Sequence, residues 1–262
     1  MSSNPIAVFD SGIGSLSVIK ELQREMRHEN LIYLADKQNF PYGTKSRKEL
    51  RIIIRDTIRY LEGFNPKIII IASNTPSVQV LDELRFCTNV PLIGVYPPFK
   101  QAVKMTRNKH IGIMATQSTI HSTELAYQIR AQIPQNIRVT KINSSSLIKL
   151  IEDGVHLSNE KATIESIVEV VNDPQDMDVI TLSSTHLPLI KNFFIKLFPN
   201  VRFVDPAKNI VKDTKIFLKN HRNLRMKGNS KIQILITRNK EAFQKILRQM
   251  GYTEKVTIVR IQ

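Results

Sequence analysis

An α/β fold built on largely parallel sheets is predicted by three features of this sequence. Short aliphatic runs alternate with amphipathic segments along the whole chain, the pattern of strands buried on both faces and covered by helices. The run IAVFDSGIGSL places a glycine-rich turn between a strand and a helix start. Finally, IIIIASNTP (68–76) and VITLSSTHLP (179–188) form a near repeat, in which a buried strand ends in serine before polar residues and a helix start. The predicted strands are 6–9, 31–34, 68–72, 92–95, 111–114, 179–182, 202–204, 232–236 and 256–259. Between them Ile19, Leu22 and Met26, and again Leu50, Ile54, Ile58 and Leu61, recur at helical spacing.

A chain of 262 residues has room for one large or two modest domains. Its 42% hydrophobic and 23% charged residues exclude collagen-like, low-complexity and disordered classes. The single cysteine, Cys87, allows no internal disulfide and no two-cysteine zinc or redox motif, which fits a cytoplasmic protein. It lies in a connecting stretch before Pro91 and is expected to be a packing residue. The amino end lacks a basic region followed by a long apolar run, and the longest aliphatic stretch, 68–72, is far too short to span a bilayer. A soluble, untargeted protein with no membrane partner is expected. The net charge of +15 raises nucleic acid as a partner, but residues 201–262 hold 15 Lys and Arg against 4 Asp and Glu. A solvated basic face on that last quarter is the simpler expectation.

In open α/β sheets ligands gather at the carboxyl ends of strands, where helix amino ends offer free backbone N–H groups. Asp10 and Ser11, followed by Gly12 and Gly14, form one such end and a plausible anion cradle, or only a helix cap. As a dinucleotide fingerprint this run fails, because Ser17 takes the third glycine position and no suitable acidic strand end is evident about twenty residues on. Pro41, Tyr42, Gly43 and Thr44 form either a binding loop or a connection. The turns Ser73-Asn74-Thr75 and Ser184-Thr185-His186 would suit a hydrolase with His186 as base and Asp10 as orienter, but neither serine sits in Gly-x-Ser-x-Gly. Capping by these serines and threonines is the bland alternative. Thr116 and Thr119, in a turn after a strand, would offer hydroxyls or simply cap a helix. Glu152 ends a helical run where its charge opposes the helix dipole, for which solvent exposure is the simpler account. The remaining histidines show no metal-ligand spacing, so no metal site is expected.

Taken together, the motifs resemble the glutamate racemase family within the aspartate/glutamate racemase superfamily, over nearly the whole chain. They are VFDSGIGSLSV, FPYGTKS, SNTPS, PLIGV, IMATQSTIHS, SSTHLPLI, VDPA and ITRNKEAF. His186 in the second serine turn points to the glutamate rather than the aspartate branch. The resemblance implies two pseudosymmetric lobes, each a mostly parallel sheet covered by helices, with the active-site cleft between them. The first lobe would comprise residues 1–97 and 208–262 and the second 98–207. It further implies a cofactor-independent enzyme in which a thiol from each lobe flanks the α-carbon of glutamate, one removing its proton and the other delivering one to the opposite face. Asp10, Glu152 and His186 would assist the bases. Ser11, Pro41, Tyr42, Gly43, Asn74, Thr75, Thr116, Thr119 and Thr185 would bind the substrate. Supply of D-glutamate to peptidoglycan and a homo-oligomeric state are also consistent with the family.

The chain departs from the family where the chemistry is done. Ser73 and Ser184 occupy both positions of the catalytic cysteines, Ser15 stands where a third glycine is usual, and Pro97 where glutamate is common. Turnover is therefore expected to be strongly impaired while the anion-binding turns survive. Three accounts stay open: a natural member with altered or absent activity, a pair of serines introduced to trap bound substrate, or a basic interaction protein that kept the fold.

Overall fold

The computed structural model describes residues 3–174 and 176–261, so the outermost residues of the expected first lobe lie outside it. Among the described residues ten strands run in chain order: β1 (Ile6–Asp10), β2 (Leu31–Ala35), β3 (Ile68–Ile71), β4 (Leu92–Gly94), β5 (His110–Ala115), β6 (Arg138–Asn143), β7 (Val179–Leu182), β8 (Arg202–Val204), β9 (Ile232–Ile236) and β10 (Val256–Ile258). They form two sheets, ordered β10-β9-β2-β1-β3-β4 and β6-β5-β7-β8, and every pairing is parallel. The α/β reading holds. β6 was not foreseen, because RVTKIN is a sheet-edge strand with mostly exposed or half-buried residues and lacks the aliphatic run that betrays a central strand.

The chain divides into two compact units, Met1–Val95 with Ala207–Gln262 (unit 1) and Tyr96–Pro206 (unit 2). Numbering strands by their order within each unit, both β2-β1-β3-β4 and β6-β5-β7-β8 read second, first, third, fourth. In this order the chain leaves the first strand toward one edge and returns for the third on the other side. The carboxyl ends of the first and third strands therefore flank a switch point, where crossover helices diverge and a crevice opens.

Local sequence explains why the helices cover these sheets. Leu50, Ile54, Ile58 and Leu61 are buried along helix Arg47–Glu62, which begins with a reciprocal Ser46–Glu49 capping box. Ile19 and Leu22 do the same for helix Leu16–Glu25. At the end of β4, Gly94 is required by close packing: a Cβ there would lie 2.4 Å from Leu81 Cδ2 and 2.9 Å from Ser77 Oγ. Cys87 does not pack as expected. It is exposed on a 3-10 turn, Arg85–Cys87, where the preceding short helix has already turned its apolar face, Leu81 and Leu84, inward. No helix among the described residues is long and apolar enough to cross a membrane.

Candidate functional site

In unit 1 the residues singled out from sequence converge on the switch point between β1 and β3. The parallel register sets Phe9 beside Ile71, and Ala72 N–H donates to Phe9 C=O at 2.8 Å, so Asp10–Ser11 and Ser73–Asn74 emerge side by side. Asp10 is buried, and its Oδ1 accepts the Ser11 N–H at 2.6 Å. Ser15, which precedes helix Leu16–Glu25, makes no side-chain capping bond. Ser73 precedes helix Asn74–Gln79 but makes no capping bond either. Ser77 closes this turn: its hydroxyl donates to Ser73 C=O at 2.7 Å and accepts Val95 N–H at 2.9 Å. Asn74 is 3% exposed, yet neither atom of its amide finds a hydrogen-bond partner. An amide left bare at such a depth is the mark of a group waiting for a ligand.

The Pro41–Gly43 turn reaches the same sheet edge through Asp36, a residue the sequence reading passed over. An acidic residue does close β2 after all, and Asp36 N–H donates to Asp10 C=O at 2.7 Å. Its carboxylate accepts from Asn39 Nδ2 at 2.9 Å, the Tyr42 hydroxyl at 3.0 Å and Thr237 Oγ1 at 3.2 Å. Burial raises the Asp36 carboxyl above its ordinary range against the lowering effect of those donors. Burial likewise pushes the Tyr42 phenol well up, helped by the charges of Asp36 and Asp10. Tyr42 therefore stays a proton donor. The Tyr33 hydroxyl donates to Gly12 C=O at 2.6 Å and fixes the glycine-rich turn from beneath. Asp36 could have been found from sequence, since it ends an aliphatic strand; Thr237 and Tyr33 act through long-range contacts with no local signature.

Unit 2 repeats the backbone plan with other side chains. Ser183 N–H donates to Met114 C=O, which sets the turn after β7 beside that after β5. Thr116 does cap: its Oγ1 accepts Thr119 N–H at 3.3 Å and hydrogen-bonds Thr119 Oγ1 at 2.9 Å, so here the bland alternative is real. Ser184, Thr185 and His186 are all buried. Glu152 is not solvent-exposed as expected but 1% exposed, with Oε2 2.8 Å from His186 Nε2. The partner gives it a place: the helix Ser145–Glu152 stops there as Gly154 takes a left-handed conformation (φ 75°), and the imidazole offers the carboxylate a hydrogen-bond partner at that end. The next short helix carries His156, also missed from sequence, buried and with Nδ1 unpartnered. Burial first, then the nearby His186, lowers the pKa of His156.

The two serine turns thus lie at strand ends with different acid–base groups: Asp10 ends β1, hydrogen-bonded through its backbone to Asp36 and so to Tyr42, in unit 1, and the Glu152–His186 pair stands in unit 2. Among the described residues no group of three or more His, Cys, Asp or Glu is arranged to hold a metal ion.

Residues 6–214 match the family model described as Asp/Glu/Hydantoin racemase. The chain is 32% identical over 244 residues to a glutamate racemase of Persephonella marina, covering 92% of this chain and 91% of that protein. Among solved structures it is similar to a glutamate racemase isoform from Bacillus anthracis (TM-score 0.89, 25% identity, 100% and 99% of the two chains). It is also similar to the Francisella tularensis glutamate racemase in complex with D-glutamate (TM-score 0.86, 27% identity, 100% and 99% of the two chains).

Proposed function

The chain belongs to the glutamate racemase family, and from that premise we propose that it binds glutamate while turning it over only very slowly. The observation that carries this reading is the placement of Ser73 and Ser184. Each follows the third strand of its sheet, where the family resemblance puts a cysteine base, and the chain's single thiol, Cys87, lies exposed on another turn.

In two-base racemisation one thiolate takes the α-proton and the thiol on the other face returns a proton to the planar carbanion, so the two bases exchange protonation states as the centre inverts. A free thiol has a pKa near 8.5, and a serine hydroxyl about five units higher makes the required anion roughly 7 kcal/mol harder to form. Asp10 and the Glu152–His186 pair would assist Ser73 and Ser184 as proton acceptors. They stand one group removed from the α-carbon, so they offset only part of that cost. Binding depends on other groups. The bare Asn74 amide, the donors around Ser11 and Thr75, the Pro41–Tyr42–Gly43 turn, and Thr116, Thr119 and Thr185 would hold the carboxylates and ammonium. No cofactor takes part in this scheme. In a cell the reading places the protein in the cytoplasm, beside reactions that use D-glutamate for peptidoglycan.

The test is α-hydrogen exchange into glutamate in deuterated buffer, with binding measured by calorimetry on the same samples. The chain should bind glutamate and exchange slowly, and the double variant Ser73→Cys, Ser184→Cys should exchange faster by orders of magnitude. Rapid exchange by the unaltered chain would overturn the impaired-base reading. A double variant that binds glutamate yet exchanges nothing would overturn the racemase site itself.

A further inference from the structure

Unit 1 carries a second feature that the glutamate site does not use. Between residues 206 and 240 ten Lys and Arg face a single acid, Asp213. The structure arranges them. Helix Ala207–Asn220 buries Ile210, Val211, Thr214 and Leu218 against its unit, leaving Lys208, Lys212, Lys215 and Lys219 exposed at spacings of four, three and four. At 3.6 residues per turn these four lie on one stripe about 16 Å long, and Asp213 falls well round the helix from it. Lys215 pairs with Glu25 Oε2 at 3.6 Å, and among the described residues Lys208, Lys212 and Lys219 carry no ion pair.

The stripe runs into a groove of about 460 Å³ lined by Lys215, Lys219, Arg222, Leu224 and Met226. Its far wall is a pinned loop. Glu29 Oε1 accepts Arg225 N–H at 2.8 Å, and Lys67 Nζ donates to Asn223 C=O at 2.9 Å while pairing with Glu29 inside the unit. Met226 is more than half exposed on this rim. Beside the stripe, Phe217 and His221 stack at 4.1 Å with their planes 24° apart, and His221 is exposed.

A row of cations, three of the four without an ion pair, beside an exposed ring and an apolar-floored groove is the pairing that single-stranded nucleic acid requires: charges along the backbone and a flat face for bases. We propose that this face of unit 1, from Lys208 to Met226, binds single-stranded RNA or DNA. A duplex would use the cations but not the ring, and an anionic membrane would use the cations without needing a stacking face. The inference goes beyond the glutamate reading and does not depend on it.

The test is fluorescence anisotropy with a 5′-fluorescein 20-nucleotide single strand, a 20-base-pair duplex, and co-sedimentation with phosphatidylserine/phosphatidylcholine (30:70) vesicles, all on the full chain. Binding of the single strand at 50 mM salt should weaken on the order of 50-fold by 200 mM, as about four phosphate contacts demand at ~0.7 per contact in log K against log salt. Lys208→Glu, Lys212→Glu, Lys219→Glu together should abolish most of that binding and flatten the salt slope. The milder triple change to Gln should do so in part. His221→Ala should weaken the single strand several-fold and leave the duplex unaffected. Glutamate binding, followed by calorimetry in the same variants, should not move, which separates this surface from the amino-acid site. Absence of single-strand binding at 50 mM salt, triple variants that bind like the parent, or duplex or vesicles held more tightly than the single strand would each overturn the proposal.

Discussion

At the carboxyl ends of β1 and β2, close to the Ser73 turn, stand carboxylates and a phenol, Asp10, Asp36 and Tyr42; after β7, Ser184 shares its turn with an imidazole that is paired to Glu152 and backed by His156. The order of the first four strands is the same in the two units and so is the position of the serine, yet the carboxylates keep a phenol for company in one unit and an imidazole in the other. The repeated feature is the switch point, a backbone property that creates a crevice. Side chains then differentiate the two crevices. On the proposed reading, serine in place of cysteine would remove the same base from both units and leave each with a different group to take up a proton.

Restoring the thiols one at a time gives the largest effect and tests that difference directly. By the family resemblance, Ser73→Cys would supply a base on one face of the α-carbon and Ser184→Cys on the other. Each single variant should therefore exchange the α-hydrogen of one glutamate enantiomer, and the two variants should prefer opposite enantiomers. The gain over the parent should be several orders of magnitude, up to about 10⁵ if the full ~7 kcal/mol is recovered. Chiral analysis of deuterium uptake decides it. Both single variants acting on the same enantiomer would break the idea that the two turns serve opposite faces.

Stability should register the same contrast. Glu152→Ala strips a buried imidazole of its partner and should cost about 3–5 kcal/mol, the usual penalty for breaking a buried pair. Asp36→Ala abandons three donors, but Tyr42, Asn39 and Thr237 are neutral, and a loss of about 2 kcal/mol is expected. Urea unfolding of both variants gives the ranking. In the opposite direction, Ser15→Ala should stabilise by about 1 kcal/mol, because Ser15 is fully buried, helical in backbone and has an unpartnered hydroxyl.

Much of this was legible in the chain, and the exceptions share a cause. Runs such as Ile68–Ile71 announce central strands because both faces are buried, and the paired serine turns mark where two of those strands end. β6 escaped because an edge strand need not be apolar, and Cys87 was placed inside because a cysteine in an apolar neighbourhood is usually packed. Glu152 was read as solvated because its partner lies 34 residues away, whereas Asp36 had a local signal at the end of an aliphatic strand and only its Thr237 donor, just after β9, lies beyond the reach of spacing. Spacing reveals which groups share a helix face or a strand end. It cannot reveal a hydrogen bond closed across a sheet.

The smallest expected effect is the one in which the two units should differ in sign. Burial raises the Asp36 carboxyl above its ordinary 3.8, so the folded chain holds that proton more tightly than the unfolded one. Its contribution to stability therefore declines as pH rises from 3.8 through the raised value. His156 runs the other way. Burial and the neighbouring His186 hold its pKa below 6.5, so below that pH the unfolded chain takes up a proton that the folded chain refuses, and stability declines as pH falls. One fully differential proton sets a ceiling of about 1.4 kcal/mol per pH unit on either slope. His156→Gln should accordingly flatten the loss of stability that begins on acidification through 6.5, and Asp36→Asn should leave that limb alone while altering the profile nearer pH 4. Urea midpoints collected from pH 4 to 7.5 make the comparison. A His156→Gln protein that loses stability between pH 6.5 and 5 as steeply as its parent would mean that the imidazole is hydrated, and unit 2 would then lack the dry surroundings that set its Glu–His pair apart from the carboxylates of unit 1.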